Sequence, residues 1–248
     1  MQTEATGRPW ERRAAARTAV VWEALKPYLG DSGAVIVDVG GGTGGFAVRA
    51  AELGHQVTVI DPSPDALAAA ARRAQESDVA DRVEMVQGDL TDLASHVAPQ
   101  TADLLLCHEV LGLLDDPIAG LATITAALRP GGIASIVVGQ RHAAVLARAM
   151  AGQLDNAREV LDGAADGPRL FVAEEWPELL EAVDCELVSI HGVRVFADLV
   201  PSALIDLEPG ADRSLLELER AVAERPEYLS MASQLHVLAR RAADTRGS

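Results

Sequence analysis

The sequence predicts an α/β protein whose central sheet is largely parallel. Short apolar, β-branched runs recur along the first 140 residues, and segments with helical spacing of apolar residues separate them. Uninterrupted apolar strands that alternate with helices are typical of a parallel sheet buried on both faces. Apolar residues make up 49% of the chain and aromatic residues only 3%, so the core must be built from Ala, Val, Leu and Ile.

The first 140 residues predict a regular alternation of elements. The first thirty residues form a helix, since Val21, Leu25 and Leu29 recur at helical spacing and Gly30 can end it. Strands are predicted over residues 34–39, 56–60, 83–86, 102–107 and 133–138. Helices are predicted over residues 46–53, 64–74 and 118–128, with a turn over 129–132.

The remaining residues predict a helical insert followed by a return to the sheet. Residues 140–180 read as helices broken by Gly163, Gly167 and Pro168. Strands are then predicted over 185–190, 193–196 and 233–238, with a charged helix near 213–223. The acidic residues of that helix are most simply a solvated face: Glu217, Glu219 and Glu224.

Composition excludes several functional classes. The 21 basic and 37 acidic residues give a net charge of −16, which argues against broad binding to a phosphate backbone. Two cysteines are too few for a disulfide scaffold or a thiolate metal site, and no His, Asp and Glu grouping has metal-ligand spacing, so no metal is expected. Without a long apolar run or a signal peptide, a soluble cytoplasmic protein is expected. Surface or turn positions are expected for three histidines: His55, His96 and His191.

The strongest motif is a glycine-rich loop between the first strand and the following helix. It runs from Asp38 through Gly40, Gly41, Gly42 and Gly44. Glycines let a ligand approach the backbone closely, and the helix that follows points amide donors towards it. The regular glycine series is Gly40, Gly42 and Gly44, with an acid two residues before the first glycine, and the chain contains no phosphate-binding P-loop sequence.

Two carboxylates follow neighbouring strands, at the edge of the sheet where ligands of such folds bind. Asp61 ends the second strand and could accept both ribose hydroxyls of an adenosyl group, or shape the turn before Pro62. Asp89 follows the third strand and could accept from an adenine amino group, or cap a helix near Asp92.

Together these motifs resemble the class I S-adenosylmethionine-dependent methyltransferases, through Asp38–Gly44, Asp61, Gly88–Asp89 and the turn at 128–132. The resemblance implies a Rossmann-like seven-stranded sheet, mostly parallel with an antiparallel last strand, and a helical lid from the N-terminus and residues 140–180. It implies S-adenosyl-L-methionine as cofactor and S-adenosyl-L-homocysteine as product. A single methyltransferase domain is expected over 1–248: a helical cap at 1–30, a cofactor core at 31–139, an insert at 140–180, and C-terminal strands and helix at 181–248.

Further segments resemble the tRNA 5-carboxymethoxyuridine methyltransferase family, which methylates a carboxylate on the wobble uridine. These segments are residues 16–22, 105–111, 192–196, 216–219 and 236–240. The resemblance implies cofactor contacts from Arg17, Gly40, Gly41, Asp61, Leu90, Thr91 and His108. In place of that family's lysine run, residues 153–159 and 163–169 hold two cations against three acids, which keeps a small-molecule acceptor open beside tRNA.

The acceptor determines which further residues are needed. A carboxylate is ionised at pH 7 and needs cations to hold it, with Arg194 the first candidate and Arg141 and Arg241 behind it. A hydroxyl needs a general base, for which His142 and then Glu109 are the candidates. Two other functions stay open: a nicotinamide-dependent oxidoreductase on the same sheet, and a module that binds the cofactor without transferring methyl groups.

Overall fold

A computed structural model of the chain describes residues 9–243. Its strands are β1 (Val35–Val39), β2 (Gln56–Asp61), β3 (Val83–Gln87), β4 (Ala102–His108), β5 (Leu128–Gly139), β6 (Cys185–Val193) and β7 (Gln234–Arg241). Its α-helices are α1 (Pro9–Leu29), α2 (Gly45–Glu52), α3 (Pro64–Glu76), α4 (Pro117–Ala127), α5 (Arg141–Met150), α6 (Leu154–Leu161), α7 (Trp176–Glu181), α8 (Ser202–Leu207), α9 (Ala211–Val222) and α10 (Pro226–Leu229).

The seven strands form one sheet in the order β3-β2-β1-β4-β5-β7-β6. The pairs among β1 to β5 are parallel, and β7 lies antiparallel between β5 and β6. The expected sheet, mostly parallel with an antiparallel last strand, is therefore confirmed. Since β5 and β6 are both antiparallel to β7, the carboxyl ends of β1 to β6 all lie at one edge, here called the functional edge.

Apolar residues cover both faces of the sheet. One face packs against α1, α2 and α3, through side chains such as Val21, Leu25 and Phe46. The other packs against α4 and α7, where Trp176 and Phe171 are fully buried. Burial on both faces explains why the strands are apolar throughout rather than alternating. None of the helices in residues 9–243 is long and apolar enough to cross a membrane.

The helices predicted at the N-terminus and after β5 are present, as α1 and as α5 to α7. The insert is tied to the functional edge by a backbone bridge between Gln140 and Phe171. The first eight residues of the predicted N-terminal cap, and residues 244–248 at the other end, lie outside the described residues.

Two sequence predictions near β6 and β5 were wrong in their boundaries. Residues 185–190 and 193–196 are not two strands, because β6 continues to Val193 and the chain then turns at Arg194, whose φ is 59°. Residues 129–132, predicted as a turn, belong to β5, which begins at Leu128. The pairing of β5 with β4 is irregular there, because the register shifts between Ala102 and Leu104.

The turn after β6 is held by a buried carboxylate. Glu219, on α9, accepts backbone hydrogen bonds from Val195, Phe196 and Ala197 at 2.9, 2.8 and 2.7 Å. Its side chain is fully buried, so the expectation of a solvated face was wrong at this position. Glu219 satisfies three donors that would otherwise be buried without an acceptor.

Replacing Glu219 with glutamine is expected to lower the free energy of unfolding by about 3 kcal/mol, because an amide offers one acceptor oxygen where the carboxylate offers two. Urea unfolding measures the loss. Glu217→Gln is the matched control, since Glu217 lies on the exposed side of the same helix. Equal unfolding midpoints for the two variants would contradict this role for Glu219.

Candidate active site

The glycine loop, residues 40–44, joins β1 to α2 at the functional edge. The Gly40 amide donates to the Ile60 carbonyl at 2.7 Å, which fixes the start of the loop against the end of β2. Gly40 has a φ of 70°, and a Cβ added there would lie 2.3 Å from Val110 Cγ2. Only glycine therefore fits at this position.

Asp61 connects the end of β2 to the glycine loop. One carboxylate oxygen accepts from the Gly42 amide and the other from the Ser63 amide, both at 2.9 Å. The residue is 8% exposed. These bonds hold the carboxylate at the functional edge, as the sequence predicted, and also give it a part in shaping the loop.

Asp38 lies beneath the glycine loop and is buried. A Cβ added at Gly41 would lie 2.8 Å from the Asp38 carboxyl group, so the loop backbone runs directly over that carboxyl. Burial raises the pKa of Asp38 to about 7, although Arg17 acts to lower it, and Asp61 adds to the rise. A cation bound beside the loop would favour the ionised form.

Arg17 reaches the same edge from α1. Its guanidinium lies 3.8 Å from a carboxylate oxygen of Glu109, which follows β4. Its Nε is buried and has no hydrogen-bond partner among residues 9–243. Arg17 is thus not an ordinary exposed helix arginine, and it keeps a donor available close to Asp38.

His108 ends β4 and is 8% exposed. Its Nε2 lies 2.9 Å from Ser135 Oγ on β5, and Phe46 of α2 packs edge-on against the ring at 5.0 Å between centroids. Burial, assisted by the charge of Arg17, lowers the pKa of His108 to about 3. The imidazole is therefore neutral at pH 7.

The turn after β3 lies beside Asp61, because the Gly88 amide donates to the Asp61 carbonyl at 3.3 Å. Asp89 accepts from the amide and hydroxyl of Thr91 at 2.7 and 2.5 Å. It does not cap the next short helix, since Asp92 occupies that position. Leu90 is buried, so any ligand contact there would come from its backbone.

The residues predicted on the acceptor side are dispersed. Arg194 directly follows β6 at the functional edge, and its guanidinium pairs with the Asp198 carboxylate at 2.6 Å. His142 lies on the exposed side of the first turn of α5, and its catalytic role stays a prediction. Arg241 lies at the opposite edge, donating to the Thr125 and Leu128 carbonyls, because β7 runs antiparallel. The suggestion that Arg241 holds an acceptor was therefore wrong.

A cavity of about 750 Å³ opens beside the carboxyl ends of β4 and β5. It lies between the segment after β4 and the insert, and three arginines line it: Arg141, Arg148 and Arg169. Arg141 pairs with Glu175 at 2.7 Å. Arg148 is held by the neutral amide of Asn156, and Arg169 lies 5.0 Å from the centre of the Phe171 ring.

The comparisons with known proteins agree with this geometry. Residues 37–134 match a family model described as a methyltransferase domain. The chain contains a methyltransferase domain. It is 29% identical to the tRNA 5-carboxymethoxyuridine methyltransferase of Escherichia coli K12 over 235 residues, covering 91% of this chain and 88% of that protein. Because it contains this domain and has this relative, the chain is identified as an S-adenosylmethionine-dependent methyltransferase.

Other relatives of this methyltransferase differ in their acceptors. It is 30% identical over 161 residues to a ubiquinone biosynthesis O-methyltransferase of Xanthomonas campestris, covering 65% of this chain and 66% of that one. In fold it is similar to a geranyl diphosphate C-methyltransferase of Streptomyces coelicolor, with a TM-score of 0.64 and 17% identity. That similarity covers 97% of this chain and 85% of the other. The chain is also similar in fold to a putative S-adenosylmethionine-dependent methyltransferase of Listeria monocytogenes, with a TM-score of 0.62 and 16% identity. That similarity covers 92% of this chain and 99% of the other.

The residues at the functional edge of the methyltransferase fit S-adenosylmethionine. The cofactor carries a sulfonium, an ammonium, a carboxylate and a ribose. Asp38 offers a negative charge beneath the loop, and Arg17 offers the unpartnered Nε to a carboxylate. Asp61 stands at the end of β2, where an acid can bind ribose hydroxyls. No cluster of three or more metal-ligating side chains was found within residues 9–243.

Sequence reasoning missed the polar residues that surround His108. Ser135 bridges His108 and His236, with Oγ 2.9 Å from the Nε2 atom of each. His236 is fully buried and stacks on His191, which is 4% exposed. His55 is fully buried as well, in the turn between α2 and β2. A surface position was therefore wrong for His55, although a turn position was right, and both were wrong for His191, which lies within β6. The alternation of side chains along each strand could have predicted that His108, Ser135 and His236 lie on one face of the sheet. It could not have predicted that they are in contact.

Proposed function

We propose that this methyltransferase forms a methyl ester on a carboxylate, and that tRNA carrying 5-carboxymethoxyuridine is its first candidate acceptor. The observation that carries the proposal is the length of the similarity to the Escherichia coli enzyme. It covers 91% of this chain, and so reaches beyond the cofactor core into the N-terminal helix, the insert or the C-terminal strands. Arg17 of α1 and the insert both reach the functional edge, where an acceptor would have to meet the cofactor.

The chemistry of His108 also favours an acceptor that needs no base. S-adenosylmethionine supplies an already activated methyl group when bound, so the protein's main task is to orient the acceptor. A hydroxyl would have to lose its proton, and His108, with a pKa of about 3, is a poor proton acceptor at pH 7, so the base would have to be His142 or Glu109. A carboxylate is already ionised at that pH.

The cavity beside β4 and β5 supports binding of a single carboxylate. Arg148 and Arg169 are held by neutral partners, so their charges are available to a ligand. Asp115 and Asp166 line the same cavity. This mixture of charges suits one carboxylate better than a run of phosphates, since the acids would repel a polyanion.

A small soluble carboxylic acid is the second candidate acceptor, and the net charge of −16 favours it. Long-range repulsion between an acidic protein and tRNA slows their association and weakens binding. A small monoanion carries less charge and is repelled less.

Transfer of radiolabelled methyl from S-adenosylmethionine tests both candidates. The protein is incubated with total small RNA from cells that make 5-carboxymethoxyuridine, and separately with a metabolite extract of its source cells. Methyl esters are released by mild alkali, whereas N- and C-methyl groups are not. Alkali-labile label in the RNA supports the first candidate, and alkali-labile label confined to small molecules supports the second. Alkali-stable label in either fraction contradicts carboxylate methylation.

Replacing Arg169 with alanine is expected to raise the KM for the acceptor about tenfold, because one charge-assisted hydrogen bond is lost. The affinity for S-adenosylhomocysteine should not change. Arg158→Ala is the control, since Arg158 is 83% exposed on α6 and does not line the cavity. Steady-state kinetics with both variants give the comparison, and an unchanged KM in Arg169→Ala would exclude this cavity as the acceptor site.

A further inference from the structure

A row of buried polar side chains crosses the sheet beneath α1. His108 on β4, Ser135 on β5 and His236 on β7 form a continuous chain, with the serine hydroxyl 2.9 Å from each imidazole Nε2. Ser135 and His236 are fully buried. His191 on β6 extends the row by stacking on His236, with 5.2 Å between ring centres. Such a row in an otherwise apolar face needs a reason.

The serine between two histidines restricts their protons. A hydroxyl carries one proton, so it donates one hydrogen bond and accepts others. With both imidazoles neutral, full satisfaction of the buried hydroxyl requires one Nε2 that accepts and one Nε2–H that donates. Burial lowers the pKa of both histidines, which keeps them neutral. The tautomers of His108 and His236 are therefore opposite.

The surroundings of His236 determine which of the two imidazoles donates to Ser135 and which accepts from it. Its Nδ1 is buried and has no hydrogen-bond partner among residues 9–243. A buried N–H without an acceptor is rarer in proteins than an acceptor that lacks a donor, so His236 carries its proton on Nε2 and donates to Ser135. Ser135 then donates to Nε2 of His108, and the remaining proton of His108 lies on Nδ1.

We propose that Ser135 and His236 are positioning residues, which hold His108 as an Nδ1–H donor towards the bound cofactor. This rests on the assignment of His108 to the cofactor site, and not on the identity of the acceptor. An N–H donor beside Arg17 suits a carboxylate such as the one on the amino acid part of S-adenosylmethionine. His108 then binds and orients, and takes no proton from the acceptor.

The charged and titratable groups around the row are consistent with neutral rings. Arg17 of α1 faces His108 and pairs with Glu109. At the other end, His191 Nε2 lies 3.3 Å from Glu224, whose side chain is 79% exposed. His191 and His108 both act to lower the pKa of His236. Protonation of the row would thus place like charges together in a buried site.

Two-bond ¹H–¹⁵N spectra of ¹⁵N-histidine-labelled protein, without cofactor, test the tautomers directly. The signals of His108 and His236 are assigned by their loss in His108→Asn and His236→Gln. The proposal predicts the proton on Nδ1 in His108 and on Nε2 in His236. A proton on Nε2 of His108 would overturn it. The tautomers are read in the wild-type protein and do not depend on catalysis, and the two variants serve only to assign the signals.

S-adenosylhomocysteine affinity tests the consequence for binding. Ser135→Ala is expected to weaken binding about tenfold, whereas Ser189→Ala, a control on β6, should bind as the wild type does. His108→Asn should bind within about threefold of wild type, because its amide nitrogen can replace Nδ1–H, while His108→Gln should lose about tenfold. A purely structural role would affect the two variants alike. Wild-type affinity in Ser135→Ala would overturn the positioning role, whatever the acceptor assays show.

Discussion

Replacing Asp38 with asparagine is expected to weaken S-adenosylhomocysteine binding about 100-fold and to stabilise the cofactor-free protein above pH 7. The carboxyl is buried beneath the glycine loop, and its pKa is raised to about 7. Its ionised form is useful to a cationic ligand, but without one it is a buried charge with a desolvation cost. The asparagine removes both the benefit and the cost.

The direction of the pH effect follows from the raised pKa. The folded protein binds the Asp38 proton more tightly than the unfolded chain, so the stability due to the protonated form is fully present below about pH 4 and is lost as pH rises through 7. A shift from 3.8 to about 7 corresponds to at most about 4 kcal/mol. The Asp38→Asn variant should lack this loss.

Thermal unfolding at pH 6 and pH 8, together with calorimetric titration of S-adenosylhomocysteine, measures both effects of Asp38→Asn. Asp31→Asn is the control, because Asp31 is exposed before β1. Wild-type affinity should rise as pH passes through 7, whereas that of the variant should stay flat. Wild-type affinity in Asp38→Asn would show that this carboxyl does not hold the cofactor.

Replacing Asp61 with alanine is expected to lower S-adenosylhomocysteine affinity at least 100-fold. The change removes the acceptors for the Gly42 and Ser63 amides as well as the carboxylate proposed to bind the ribose, and each lost hydrogen bond to a charged group is worth about 1.5–3 kcal/mol. The free energy of unfolding should fall by about 3 kcal/mol, since both of these hydrogen bonds are lost, including the one that ties the loop to β2.

Asp61→Asn separates the two contributions, because its amide keeps one acceptor oxygen for the backbone but loses the charge. It should retain most of the stability and still bind weakly. Asp65→Asn, an exposed change in the first turn of α3, should match the wild type in calorimetry and in urea unfolding. If Asp61→Ala bound S-adenosylhomocysteine as tightly as the wild type, the assignment of the functional edge would fail.

Local patterns were sufficient to predict the parallel part of the fold. The apolar runs, the glycine loop and Asp61 are each defined by a few consecutive residues, and parallel strands necessarily bring their carboxyl ends to one edge. The antiparallel direction of β7 was predicted only from the resemblance. Its position between β5 and β6 was not predicted, because the sequence of a strand does not specify its neighbours in the sheet.

The buried row and Glu219 show two different limits of prediction from the sequence. Alternation places His108 and Ser135 on one face of adjacent strands, yet contact between them depends on a register that no local pattern gives. Glu219 did carry a signal that was overlooked. It lies four residues after Leu215 and three before Val222, and both are buried, so helical periodicity places Glu219 on the apolar face of α9.

The most direct test of the account is a calorimetric titration of the wild-type protein with S-adenosylhomocysteine and, separately, with NADH. Both ligands carry an adenosyl group that could use the glycine loop and Asp61, but only S-adenosylhomocysteine carries an ammonium to meet Asp38. The account predicts one site for S-adenosylhomocysteine, with affinity that weakens as pH falls below 7, and no binding of NADH. Tight NADH binding, or S-adenosylhomocysteine binding that is independent of pH between 6 and 8, would contradict it.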